Sequence, residues 1–344
     1  MKAVLFTGLN KIQVYEWDEP KITNDNDVLV EISACGICGS DIHYLINGKI
    51  GSQIVKYPHI SGHEASGIVL ETGKSVKKVK KGDKIAIEPA VSCLKCDQCI
   101  AGRFNTCRNI KFLGCPDELT GAFSEKIVIP ERNCFKIPET LPVETAAFAE
   151  PLSISIYSVQ RSGRMKNKSI AILGTGPIGL GVLLAAKIEH PRKIYVTDKI
   201  KNRLDTAMKL GADWCGNAND PELTKVILSE EPHQVDTVFE CSGNFATIAH
   251  AFEILKPGGL LVIVGIPEDN DMILKADQFR RKELTVTYIR RQNECLESAV
   301  KFLDSIQEKA KLLITHKFKY EKAETAFDTV SKYKDGIIKA IFVK

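Results

Sequence analysis

Charge of one sign is missing from this chain. Among its 344 residues, 47 Lys and Arg face 43 Asp and Glu, a formal net charge of +4. That field is too slight to recruit nucleic acid or a membrane surface. Long apolar runs are missing too: no stretch approaches the ~20 residues of a membrane span. The opening Met1-Lys2-Ala3-Val4-Leu5-Phe6 is broken at once by Gly8 and Asn10, which suits a short strand and not a secretory leader. The one dense basic run has lysines at 74, 77, 78, 80, 81 and 84. It alternates with Val76 and Val79 and ends in Gly-Asp, the pattern of a solvated hairpin. Composition is otherwise ordinary for a globular chain, which excludes disorder and collagen-like structure. The length exceeds what one core usually serves, so two domains are expected.

Cysteine is plentiful, with eleven residues. Without a secretory leader they point to thiols and metal instead of disulfides, and to the cytoplasm. The chain's chemistry gathers first between Cys35 and Glu64. Cys35-Gly-Ile-Cys38-Gly-Ser40-Asp41-Ile-His43-Tyr44 is followed by Ser61-Gly-His63-Glu64-Ala-Ser-Gly67. A thiolate, an imidazole and a carboxylate are the donors zinc prefers, and a catalytic site uses three and leaves one position open. Cys38, His63 and a carboxylate are therefore expected to hold a catalytic zinc. Asp41 is expected to orient His63 by accepting its other ring N–H. Ser40 and His43 supply the hydroxyl and imidazole of a proton relay. A Cys35–Cys38 redox pair is the rival, and no thioredoxin-like strand and helix follow it.

A second cluster is Cys93, Cys96, Cys99 and Cys107, spaced C-x2-C-x2-C-x7-C. Four thiolates suit a closed structural zinc site that stabilises a loop with little core of its own. An iron–sulfur cluster is the alternative, but its usual pattern puts the fourth Cys three residues on with Pro after it. Here Arg108 follows Cys107.

Residues 1 to about 135 read as β-rich: 2–6, 11–17, 28–33, 67–71, 84–88 and 123–129 are short Val- and Ile-rich runs between turn formers. A partly open barrel or sandwich is expected there. From Ser169 the texture changes. An apolar strand ends in Gly174-Thr-Gly176-Pro177-Ile178-Gly179, a Leu- and Ala-rich helix follows, and a second strand ends at Asp198, nineteen residues past Gly179. The glycines allow a tight turn, close approach to a pyrophosphate and close helix packing; Asp198 accepts from the ribose hydroxyls. That acid favours NAD over a 2′-phosphorylated cofactor, with Lys199, Lys201 and Arg203 as nearby counterweights. Further alternation through 289 fits a doubly wound parallel sheet. The tail from Glu294 reads helix, strand, helix, strand. It is expected to rejoin the β-rich part, which makes the nucleotide domain an insertion.

Taken together these motifs resemble the zinc-containing medium-chain alcohol dehydrogenases, and within them the sorbitol (polyol) dehydrogenase branch. The resemblance spans essentially the whole length. It rests on the 35–44 motif, Gly48-Lys-Ile-Gly51, Gly62-His-Glu-Ala-Ser-Gly67, Ile87-Glu-Pro89, Glu150-Pro-Leu-Ser153, the glycine turn and Glu240-Cys-Ser-Gly243. It implies an α/β chain: a GroES-like β-barrel catalytic domain (1–149 and 290–344) and a Rossmann domain (150–289). It implies a catalytic zinc on Cys38, His63 and Glu64, with Glu150 either a ligand or a contact to water and substrate. It implies a structural zinc on the four cysteines, and a cofactor site at Gly174, Gly176, Pro177, Ile178, Gly179, Asp198 and Arg203. It implies hydride transfer between a polyol's secondary alcohol and NAD, and a homotetramer or homodimer. Tyr44, Phe112 and Arg290 are candidate substrate contacts. Arg291 stands where the branch carries an aromatic, and a second guanidinium suits a phosphorylated polyol. Polyol-phosphate, butanediol and threonine dehydrogenases are the alternatives within the class. A non-catalytic nucleotide-binding protein is the alternative outside it.

Overall fold

The computed structural model describes residues 1–267, 271–272 and 276–344. The chain divides into two compact units, Met1–Ser153 with Asn293–Lys344, and Ile154–Gln292.

The first unit is built on a seven-stranded sheet. Its order runs Cys134–Lys136, Lys84–Ile87, Glu64–Thr72, Asp27–Gly36, Lys339–Val343, Ile314–Phe318, and Lys126–Pro130 also pairs with Asp27–Gly36. Alternation explains the central strand: Val28, Val30, Ile32 and Ala34 point one way and are buried. Phe123 and Phe342 meet edge to face at 5.2 Å, and Phe6 meets Phe327 at 5.4 Å in the same core. The last two strands of the chain bring the tail into this sheet, antiparallel to residues 34–36.

Helix Gly39–Asn47 lies inside the first cysteine motif, where no helix is expected from the pattern. Asp41 explains it: its Oδ2 accepts from the Cys38 backbone N–H at 2.8 Å, which closes the first turn. The helix stops at Gly48 in the left-handed region.

The second unit is a six-stranded parallel sheet in the order Trp214–Asn217, Lys193–Asp198, Ser169–Leu173, Val235–Glu240, Leu255–Ile263, Thr285–Tyr288. Numbered along the chain this is 3-2-1-4-5-6, the doubly wound dinucleotide-binding order. Strand Ser169–Leu173 is buried throughout, as a central parallel strand must be. The order reverses between it and Val235–Glu240, so the crevice for a ligand opens at Gly174 and Cys241. Helix Leu223–Glu230 escapes the sequence pattern because only Leu223 and Ile227 anchor it. Residues 256–259 read as a helix stop, yet they lie inside strand Leu255–Ile263, where Gly258 takes a positive φ of 73°.

Candidate active site

Cys38 precedes the 39–47 helix, and His63 and Glu64 stand at the start of strand Glu64–Thr72. Pairing of Gly36 with Glu64 brings the two segments together. One ligand atom from each of Cys38, His63 and Glu64 lies within 4.8 Å of the others. Burial pushes the Cys38 thiol up to about 12, and the neighbouring Glu64 charge adds to it. Glu150, at the head of helix Ala149–Arg161, is pushed well above the carboxylate range by burial; His63 pulls it down, while Glu64 and Cys38 push it up. Three groups that ionise to anions thus crowd one buried place, and a divalent cation supplies the charge that lets them ionise together. The donor set fits zinc with an open position.

Asp41 sits slightly apart from its expected role. Its Oδ1 accepts from Ser61 Oγ at 2.5 Å and from the Gly62 N–H at 3.2 Å, while His63 Nδ1 is 3.7 Å away. It fixes the backbone before His63 and the amide of Cys38, and so positions both residues at once. The Ser40 hydroxyl lies close enough to pull the Cys38 thiol down slightly against burial, which puts it beside the trio. His43 is three residues on along the same helix, and its Nδ1 faces the Asn47 amide Nδ2 at 3.4 Å. Phe112 packs its ring against His63, centroids 5.3 Å apart. Tyr44 is buried, with its hydroxyl donating to Gln53.

Sequence reading missed Lys339. Its ammonium reaches Glu64 from the last strand of the sheet. A lone charge inside the apolar run 337–343 was the available signal.

The four cysteines 93, 96, 99 and 107 converge within 4.8 Å. Sulfur separations of 3.6 Å for Cys96–Cys99, 3.9 Å for Cys96–Cys107 and 4.0 Å for Cys93–Cys99 match the ~3.8 Å edge of a zinc tetrahedron with ~2.3 Å bonds. The Lys95 backbone N–H pulls the Cys93 thiol down to about 6, towards the thiolate a metal needs. Asn293 ties this loop down, accepting from the Phe104 N–H at 3.0 Å and donating to the Gly102 carbonyl at 2.9 Å.

In the second unit the glycine turn caps helix Pro177–Ile188, with Gly176 as N-cap and Pro177 and Ile178 in the first turn. A Cβ on Gly179 would lie 1.9 Å from the Gly174 carbonyl oxygen, whereas one on Gly176 meets nothing nearer than Arg203 Nη1 at 3.7 Å. So Gly179 serves the close packing of helix and turn, and Gly176 keeps an open face. Asp198 closes the second strand; its Oδ2 accepts from the Thr175 N–H at 2.7 Å and its Oδ1 from the Ile200 N–H at 2.9 Å. Arg203 Nη1 is 4.0 Å from Asp198. Glu240, another residue without an assigned role in the sequence, is buried and accepts from Ser242, Gly243 and Thr247. These bonds shape the turn opposite the glycines. The turn, helix N-terminus and acid fit a dinucleotide. Arg290 and Arg291 follow strand Thr285–Tyr288 in this unit.

Known proteins match along the whole chain. Residues 24–139 match the family described as Alcohol dehydrogenase GroES-like domain, and residues 177–305 the family described as Zinc-binding dehydrogenase. Sorbitol dehydrogenase of Bacillus subtilis (strain 168) is 34% identical, over 99% of this chain and 96% of that protein. D-xylulose reductase A of Aspergillus niger is 33% identical, over 95% and 93% respectively. An alcohol dehydrogenase of Escherichia coli CFT073, crystallised with NADH, superposes with a TM-score of 0.91 at 26% identity, over 100% of this chain and 99% of that one. Zinc and NAD are the cofactors of this enzyme class, and the two units present sites whose chemistry fits each. The chain is an oxidoreductase that belongs to the zinc-containing medium-chain alcohol dehydrogenases, in their sorbitol (polyol) dehydrogenase branch.

Proposed function

We propose that the protein oxidises a secondary alcohol of a free polyol of the sorbitol or xylitol type to the ketose, with NAD as hydride acceptor, and reduces the ketose in the reverse direction. The convergence of Cys38, His63 and Glu64 beside Glu150 carries this reading. Similarity to sorbitol dehydrogenase and D-xylulose reductase supports the substrate class.

Cys38, His63 and Glu64 hold the catalytic zinc, and the four cysteines hold the second. When bound, zinc supplies a Lewis acid that favours the deprotonated alcohol, and NAD supplies the hydride acceptor. Ser40 takes the alcohol's proton, and His43, on the same helix face, receives it nearer the surface. Glu150 accepts a hydrogen bond from substrate hydroxyl or water and so orients the reacting carbon. Phe112 walls the site beside His63. The 174–179 turn and Asp198 hold the pyrophosphate and the ribose, with Arg203 over the turn. Residues 1–153 with 293–344 do the catalytic work and 154–292 bind the cofactor, so Glu150 falls in the catalytic unit and Arg290 and Arg291 in the other, a few residues from the boundaries 149/150 and 289/290 expected from the sequence. We place the protein in the cytoplasm, as a homotetramer or homodimer. None of the eleven cysteines is paired in a disulfide. No helix among the described residues is long and apolar enough to cross a membrane.

The test is NADH formation, followed by absorbance, over sorbitol, xylitol, galactitol, polyol phosphates, 2,3-butanediol and threonine, with and without chelator. Chelator-sensitive turnover of free polyols supports the proposal. Turnover of phosphates alone assigns Arg290 and Arg291 to a phosphate group. Turnover of butanediol or threonine alone sinks the polyol reading. Glu150→Gln should lower kcat/KM about 100-fold.

A further inference from the structure

The loop of four cysteines holds on to a second, distant segment of the chain. Between Cys99 and Cys107 the Gly102 N–H donates to the Cys99 carbonyl at 3.0 Å, and the Cys107 N–H to the Phe104 carbonyl at 3.1 Å. Residues 102–104 are thus bonded at each end to a cysteine of the cluster. Asn293 grips this short stretch with both ends of its side-chain amide. Its Oδ1 takes the Phe104 N–H, and its Nδ2 donates to the Gly102 carbonyl.

Asn293 is where the chain re-enters the first unit, and Arg290 and Arg291 lie three and two residues before it. The backbone on either side of it is strained. Arg291 and Glu294 take φ of 54° and 57°, in the left-handed region that residues other than glycine avoid. Such conformations persist only where the surroundings over-determine them. Asn293, between the two, is held at its side chain by the cysteine loop and at its carbonyl by the Cys295 thiol, 3.3 Å away. Three residues of chain reach at most about 10 Å, so fixing Asn293 confines the backbone of both arginines.

We propose that Asn293 is a positioning residue, which anchors the 290–294 segment, and with it the candidate substrate arginines, to the zinc-thiolate loop. The closed cysteine site then serves substrate binding as well as the order of its own loop. This rests on reading the four cysteines as a zinc site and the arginines as substrate contacts.

The test measures trypsin cleavage after Arg290 and Arg291 by mass spectrometry, KM and kcat for xylitol, and zinc content, in wild type, Asn293→Ala and Cys96→Ser. Loss of the two hydrogen bonds should speed cleavage after these arginines about tenfold or more, because proteolysis reads local opening. Asn293→Ala should keep both zinc ions and wild-type cleavage at Lys95, and should raise KM more than it lowers kcat. Cys96→Ser should lose one zinc and reproduce the faster cleavage at 290–291 and the higher KM. Unchanged cleavage in Asn293→Ala overturns the anchoring. Faster cleavage with an unchanged KM overturns the positioning role, and faster cleavage in Asn293→Ala but not in Cys96→Ser overturns the link to the cluster. If Asn293→Ala does not fold, Asn293→Asp, which keeps the bond from Phe104 and loses the one to Gly102, reads the same quantities. Wild type without zinc on the cysteines removes the metal reading, and wild type that oxidises no polyol removes the substrate reading; cleavage in Asn293→Ala still decides the anchoring in both cases.

Discussion

Lys339 donates to both carboxylate oxygens of Glu64, each at 2.7 Å, and to the Ile37 carbonyl at 3.1 Å. Both side chains are buried. Burial alone would lower the lysine's pKa, but Glu64 and Cys38 outweigh it and raise the net value, so the ammonium stays charged. The pair holds the carboxylate proposed as a zinc ligand in place from the far end of the chain.

Replacing Lys339 by Met should therefore destabilise the protein by about 3–5 kcal/mol, because Glu64 is left as a buried charge without a partner. Urea unfolding measures it. The loss should be larger after chelation than with zinc bound, since the cation partly replaces the missing ammonium.

Cys96→Ser should remove one metal and not the other. Elemental analysis should fall from two zinc ions per chain to one, because the 93–107 loop supplies all four donors of its site. Trypsin should then cut faster at Lys95, which is exposed in that loop. Loss of both metals would mean that the two sites are coupled.

Two glycines of the same turn should respond differently to a methyl group. Gly179→Ala should lower the thermal midpoint, since its Cβ would collide with the Gly174 carbonyl at 1.9 Å. Gly176→Ala should leave the midpoint nearly unchanged and raise the Kd for NAD, because its Cβ points into open space. Fluorescence titration and thermal melts separate the two effects.

A pH dependence follows from Glu231. Burial raises its pKa, but Ser169, donating at 2.6 Å, and Arg192, reaching both oxygens, lower it further, to a net value below 4.5. A depressed carboxylate stabilises the fold above its unfolded pKa and loses that contribution as pH falls through the folded value. The stability gap between wild type and Glu231→Gln should be full at pH 7 and shrink as pH drops below about 4.5. A gap that stays constant to acid pH would show that the carboxylate's charge contributes nothing.

The sequence by itself determined what depends on short spacing. Four cysteines within fifteen residues can only be neighbours, and a strand that ends in Gly-x-Gly-x-x-Gly with an acid after the next strand has one common use. Alternating Val and Ile marked the strand beside Cys35, and so the frame of the zinc site. Tertiary structure decided which lone pairs are used. The Glu64–Lys339 pair spans 275 residues, and no local pattern encodes it. Asp41 was legible as a carboxylate near His63, but the fold turns its Oδ1 to Ser61 and Gly62. Tyr44 was legible as an aromatic near the site, and only packing against the 112–121 loop joins its hydroxyl to Gln53 and Glu118. Backbone proximity follows from spacing along the chain. Hydrogen-bond partners follow from which surfaces are pressed together when water is excluded, and that is settled only by the whole core.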